Sequence, residues 1–209
     1  DDAVLGYLTD ADLKDLGVSK IGDRRRLLAA FAKLNHEAGV IQVTPMPKAS
    51  VATPYVNSIG MPFVPVPRFK TLGCAWPTRV CDYKLYCIDK GIEFPDQKNP
   101  TDSTHPVINV SWHDGIDFCL WLTAKERDAG TMPADQFYRL LTDLEWSAAI
   151  GLSHESQETP AERSKQKPGY PWGPSYPPRK GVGNYHQSLK VDDFEFTSPV
   201  GAFPANEFG

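Results

Sequence analysis

Residues 154–187 read HESQETPAERSKQKPGYPWGPSYPPRKGVGNYHQ, with neither helical nor alternating apolar periodicity. A stretch that long with no regular element of its own is usually functional or disordered. The fold that carries it must therefore hold loops on a scaffold, not simply pack helix against helix. The chain's 19 prolines point the same way, because each fixes φ and removes a backbone donor. Within the loop, GYPWG sets Tyr170 and Trp172 between glycines and prolines, and Tyr176, Arg179 and Tyr185 follow. Tyrosine, tryptophan and arginine are the anchors that binding surfaces favour. These five residues form the candidate recognition surface, with an aromatic cover tucked over the core as the plainer reading.

Helix starts are marked clearly elsewhere. TDLE, Thr142 to Glu145, is a capping box that opens a helix at Asp143, and it makes Glu145 a structural cap, not an acid–base group. Ser111 with Asp114 repeats the device before an amphipathic helix through Phe118, Cys119 and Leu122 to Gly130. Thr78 is the expected cap of a short helix that closes at Gly91. Strands are expected around Phe63 to Val66, in FKTLGCAW, and at Val107, Ile108 and Val110. Near the N-terminus, Thr9 and Asp12 open one helix that Gly17 ends. Ser19 opens a second that Gly39 ends, with Leu27, Leu28, Phe31 and Leu34 along one side. Residues 40–56 carry three prolines and read as an extended linker, with Val40, Ile41 and Val43 able to add an edge strand. The division is then residues 1–39, a linker 40–56, and a larger domain 57–209.

A formal net charge of -4 gives no drive towards nucleic acid or anionic membrane, so neither is expected as a partner. Arg24 to Arg26 fan around more than one face and read as a solvated or protein-facing helix surface. No apolar run approaches the ~20 residues of a membrane span. Cys74, Cys81, Cys87 and Cys119 lack paired zinc spacing and are expected as free, buried thiols in a reducing, cytoplasmic setting. A metal site from His105, His113 and Cys119 is disfavoured, since His113 and Cys119 lie six residues apart and do not stack on one helical face. His154 and His186 fall in loops. No nucleophile has an identifiable base, and no catalytic or cofactor-binding residue is assigned.

LTDADLKDLGVSKIGDRRRLLAAFAKL resembles the C-terminal half of a sterile alpha motif (SAM) domain, through Leu13, Leu16, Gly17, Val18, Ile21, Gly22, Arg24 and Leu28. That resemblance implies a helical segment used in protein association, often with itself, and a signalling context. From Asn57 onward, NSIGMPFVPVP, PTRVCDYKLYC, HPVINVSWHDGIDFCLWL, YRLLTDLEWSAA, YPWG, GVGNY and TSPVGAFPANEFG together resemble the formylglycine-generating enzyme, or sulfatase-modifying factor, family, in the family's order. The resemblance implies an α+β fold, a C-type-lectin-like core of small twisted sheets, two helices and long loops.

Family enzymes use a cysteine pair and copper to oxidise a substrate cysteine. Relatives make sulfoxides, do iron-dependent work or serve as plain binding domains. The family's reactive cysteines lie beyond the segment matching VGAFPANEFG, so copper would enter only through later sequence. The chain is expected to come from something longer, with further polypeptide after residue 209 completing the fold and facing Phe196, Val200 and Phe203. Leu141 stands where proline is usual, Ile150 where arginine is frequent, and Pro77 where an acidic residue is common. Loss of that arginine would leave a less polar rim. The expectation is a protein-interaction or ligand-binding module, with a fragment of a copper-dependent formylglycine-generating or related oxidase as the alternative.

Overall fold

The computed structural model describes residues 9–15, 20–37, 45–97, 103–152, 158–163, 165, 170 and 172–209. The chain divides into two compact units, Asp1–Met46 with Cys119–Thr142, and Pro47–Phe118 with Asp143–Gly209.

The second unit holds the sheet. Strands β1 (Tyr55–Val56), β2 (Pro62–Pro65) and β3 (Leu72–Cys74) pair antiparallel in the order β1-β2-β3. Phe63 faces Tyr55 on one side and Cys74 on the other. Prolines at both ends of β2 keep it short, and Gly60 takes φ 81° in the turn that precedes it, a conformation costly for residues with a Cβ. Asn57 closes that turn by accepting the amides of Ile59 and Met61.

Helix α3, Val80–Lys90, follows the sheet and buries Val80, Tyr83, Tyr86 and Cys87. Its start lies one residue later than Thr78 would place it. Arg79 is the N-cap, and Asp82 accepts both the Arg79 amide (2.9 Å) and a two-pronged contact from its guanidinium (2.9 and 2.8 Å). A second bond from Arg79 to the Gly60 carbonyl ties the helix start to the β1–β2 turn. Asp82 is almost wholly buried, so its charge depends on this fork. Gly91 ends the helix in the left-handed region, as expected. Inside, Tyr83 stacks on Phe118 at 5.7 Å and Tyr86 meets the same ring edge-on at 5.9 Å. Such ring pairs add about 0.5–1.5 kcal/mol each beyond their buried area.

The strand expected at Val107 to Val110 does not form. Asn109 sits at φ 58° and breaks the extended run. The neighbouring backbone is satisfied elsewhere: the Val107 amide donates to the Thr78 carbonyl, while the Gln97 side chain both accepts from the Ile108 amide and donates to its carbonyl. The Ser111–Asp114 box does form, each residue accepting the other's amide, at 2.6 and 3.2 Å, and it opens α4, Trp112–Asp128. Helix α5, Asp143–Ala149, begins where TDLE predicts. Glu145 is buried and accepts the Thr71 hydroxyl at 2.6 Å, fixing α5 to the residue just before β3.

The first unit holds α1 (Asp10–Asp15) and α2 (Ile21–Glu37). Gly17, Ser19, Gly39 and the Val40–Val43 strand expectation lie outside the described residues. Arg25 and Arg26 are exposed, but Arg24 is buried and pairs with Asp10 at 2.9 Å. The arginine cluster therefore splits, one member serving the helix pair internally. Leu28 is half-buried and Leu27 more exposed, while nothing is described of the Phe31 and Leu34 side chains. The last turns of α4 bury Trp121, Leu122, Thr123 and Glu126. Thr131 then folds back to donate to the Glu126 carboxylate at 2.8 Å. Among the described residues no helix is long and apolar enough to cross a membrane.

Candidate recognition surface

The long loop is pinned before it becomes aromatic. Thr159 and Glu162 form a capping box that opens the one-turn helix α6, Pro160–Arg163. Arg163 is buried and places Nε and Nη2 each 2.7 Å from the Asp143 carboxylate at the start of α5. Neither the anchor nor its partner was legible as such, because Arg163 is one of three basic residues, with Lys165 and Lys167, in a polar run.

Beyond it, Tyr170 and Gly173 exchange both backbone hydrogen bonds, and Gly173 takes φ 121°. This tight reversal sets Tyr170 and Trp172 ring on ring, 4.7 Å apart and 6° from parallel. The Trp172 indole donates to the Ser175 carbonyl, Tyr176 tilts towards Tyr170 at 5.9 Å, and Tyr185 meets Trp172 edge-on at 5.2 Å. Tyr176 is 62% exposed. The structure thus brings four of the five candidate side chains together. Arg179 is exposed and, among the described residues, has no hydrogen bond or ion pair.

Tyr185 is held from behind. Its amide donates to Asp192, which also accepts the Phe194 amide, and Asn184 donates to the Phe196 carbonyl. A Cβ at Gly183 would come within 2.8 Å of the Tyr185 ring. Only glycine fits there without moving that ring. Burial pushes the Tyr185 phenol above its ordinary pKa, so the ring stays neutral at physiological pH.

Beside the cluster lies a half-open hollow of about 190 Å³ lined by Ile150, Gly151, Leu152, Tyr170, Asn206, Glu207 and Phe208. The C-terminus of α5 supplies its first wall through Ile150. Asn206 supplies the second by donating to the Ala149 carbonyl at 2.7 Å while accepting the Phe208 amide. Ile150, at the position where the family resemblance leads one to expect arginine, faces this space. The hollow joins residues far apart in the chain, so no local pattern announced it.

The remaining polar candidates are dispersed. His105 pairs with the Thr197 hydroxyl at 2.8 Å, His113 lies against Trp112, and His186 caps the short 3-10 turn Gln187–Leu189. His154 lies outside the described residues. All four thiols are unpaired: Cys87 is buried and Cys74, Cys81 and Cys119 are half-buried. Burial raises each above its ordinary pKa, Cys119 to about 12. Among the described residues no three His, Cys, Asp or Glu side chains converge as a metal site. Phe196 is exposed, while Val200 and Phe203 are half-buried, Phe203 lying edge-on to Phe194.

The scaffold is an α+β domain with helices and a small antiparallel sheet. The profile described as "Sulfatase-modifying factor enzyme 1-like domain" matches residues 68–209, and the chain belongs to that family. The chain is 30% identical over 117 residues to "Formylglycine-generating enzyme" of Mus musculus, a match covering 56% of this chain and 27% of that protein. It is 28% identical over 128 residues to the protein of that name from Thermomonospora curvata, covering 57% and 34%. It is 29% identical over 109 residues to "Inactive C-alpha-formylglycine-generating enzyme 2" of Bos taurus, covering 50% and 28%. The chain spans about a quarter to a third of the length of these relatives. No solved structure matches it.

Proposed function

We propose that this chain is a protein-interaction module whose sulfatase-modifying-factor-like domain, residues 57–209 and C-type-lectin-like in architecture, displays the 170–185 loop as its binding surface. Residues 1–39 act as a SAM-like recruiting segment, joined by the 40–56 linker, in a cytoplasmic signalling setting. The observation that carries this reading is the four-ring cluster, backed by hydrogen bonds yet exposed at Tyr176. Large aromatics held at low entropy cost are what interface hot spots use. A relative named as inactive supports a non-catalytic role in this family. The test is a photo-crosslinking phenylalanine analogue at position 176. Crosslinks to a discrete protein, competed by unlabelled chain and lost with Trp172→Ala, are expected. Crosslinks that scatter, or that persist in the Trp172 variant, overturn the reading.

A second reading rests on the relatives named formylglycine-generating enzyme: the chain is part of a copper-dependent formylglycine-generating or related oxidase. It expects the copper-loaded full-length protein to oxidise the cysteine of a test peptide, with the aldehyde product read by mass. Peptide recovered unchanged rejects it.

A further inference from the structure

The geometry points to the hollow beside Tyr170 as a seat for one basic side chain of a protein partner, arginine in preference to lysine. This deepens the interaction reading above and rests on it.

Size comes first. About 190 Å³ is below the roughly 300–1,000 Å³ of a pocket that encloses a drug-sized ligand, and suits a single extended side chain. Chemistry follows from the lining. Ile150, Leu152 and Phe208 offer apolar wall to a methylene stem, and Tyr170 offers a ring already braced by Trp172. The local amides are spent inside the fold: Ile150, Gly151 and Leu152 donate to Trp146, Ala148 and Ser147, and Phe208 donates to Asn206. The Asn206 amide group gives one of its two N–H donors to Ala149. An anionic ligand would therefore find only the second Asn206 N–H free among these donors.

One charged side chain lines the hollow, Glu207. It is exposed and, among the described residues, has no hydrogen bond or ion pair. A carboxylate at the edge of an apolar, aromatic-walled hollow complements a cation on an aliphatic stem. Guanidinium matches it better than ammonium, because it is planar, can stack on an aromatic ring and grips a carboxylate with two parallel bonds. The small volume leaves the partner's backbone at the surface, where the exposed Tyr176 lies close to Tyr170.

The test is a titration of the isotopically labelled chain with three capped peptides that differ only at the central residue of a Gly-Ser host: arginine, lysine or the neutral isostere citrulline. The expected result is shifts at the Gly151 and Phe208 amides and the Trp172 indole, with arginine binding about three- to fivefold tighter than lysine and citrulline weakest. Glu207→Gln is expected to erase the difference between arginine and citrulline and to flatten the salt dependence. Equal binding of arginine and citrulline, or an unchanged preference in Glu207→Gln, overturns the inference. So does concentration-dependent shifting at the same amides without peptide, which would make the occupant a second copy of this chain. Crosslinking at position 176 that succeeds while arginine shows no preference leaves the interaction reading standing and removes only this inference. Failure of both removes both.

Discussion

The start of helix α3 and the 170–185 loop both depend on close polar and aromatic contacts, yet they use them in opposite ways. At α3, Asp82 is almost wholly buried and its contacts end in Arg79 and the chain behind it. In the loop the polar contacts of Asp192, Asn184 and Ser175 lie behind the rings, and Tyr176 and Tyr170 remain exposed. A buried charge must be satisfied within the fold, whereas an exposed ring held in place can give its area to something else. The first region stabilises the domain; the second is carried by it.

The largest effect is expected where the fold is locked. Asp82→Ala removes the fork and the cap acceptor together and leaves Arg79, itself only partly exposed, without its partner. Loss of about 3 kcal/mol is expected in denaturant unfolding. Glu145→Ala, which cuts the buried link to Thr71, is expected to cost about 2 kcal/mol. A loss below about 0.5 kcal/mol in either variant would erase the contrast between lock and display.

Gly183→Ala sharpens the comparison because it moves a ring without removing one. The new methyl would strike Tyr185, at a cost of about 1 kcal/mol. The telling readout is the Trp172 indole resonance, which should shift as Tyr185 leaves its edge-on position.

Titration tests the interior at alkaline pH. Cys119 is raised from 9.0 to about 12 by burial, so the folded state holds its proton where the unfolded state has lost it. Stability from this group is full below about 9 and falls as pH rises towards 12. Thermal unfolding of Cys119→Ala should decline less over that window than unfolding of the natural chain. At the acid end the smallest effect is expected. Asp114 is held below its ordinary pKa by the Ser111 backbone and hydroxyl, so its contribution is present above the ordinary carboxylate range. It is lost as pH falls through the depressed value, and Asp114→Asn should remove that part of the acid slope.

Local features were the ones legible from sequence. The Ser111–Asp114 box, the start of α5 and the Gly91 stop are set by neighbours three or four residues apart, and each falls where the pattern puts it. Arg79 displaced Thr78 as cap because Asp82 serves amide and guanidinium at once, a tertiary choice that links Gly60 as well. The Val107–Val110 segment has strand-forming residues but gives its hydrogen bonds to Thr78 and Gln97. At the candidate site Tyr170 and Trp172 were legible because GYPWG places them within one turn, and Tyr176 and Tyr185 follow later in the same loop. The hollow was not, since Ile150 and Phe208 lie far apart in the chain and are brought together by tertiary contacts such as Asn206 with Ala149.

The most direct test of display against lock is a paired measurement on the Tyr170→Ala/Tyr176→Ala double variant: its thermal midpoint, and its capture by the partner crosslinked through position 176 of the otherwise natural chain. A midpoint within about 2–4 °C of the natural chain is expected, with capture reduced about tenfold or more. A midpoint that falls as far as that of Asp82→Ala, with capture declining only in step with the folded fraction, would contradict it and make the four rings part of the core.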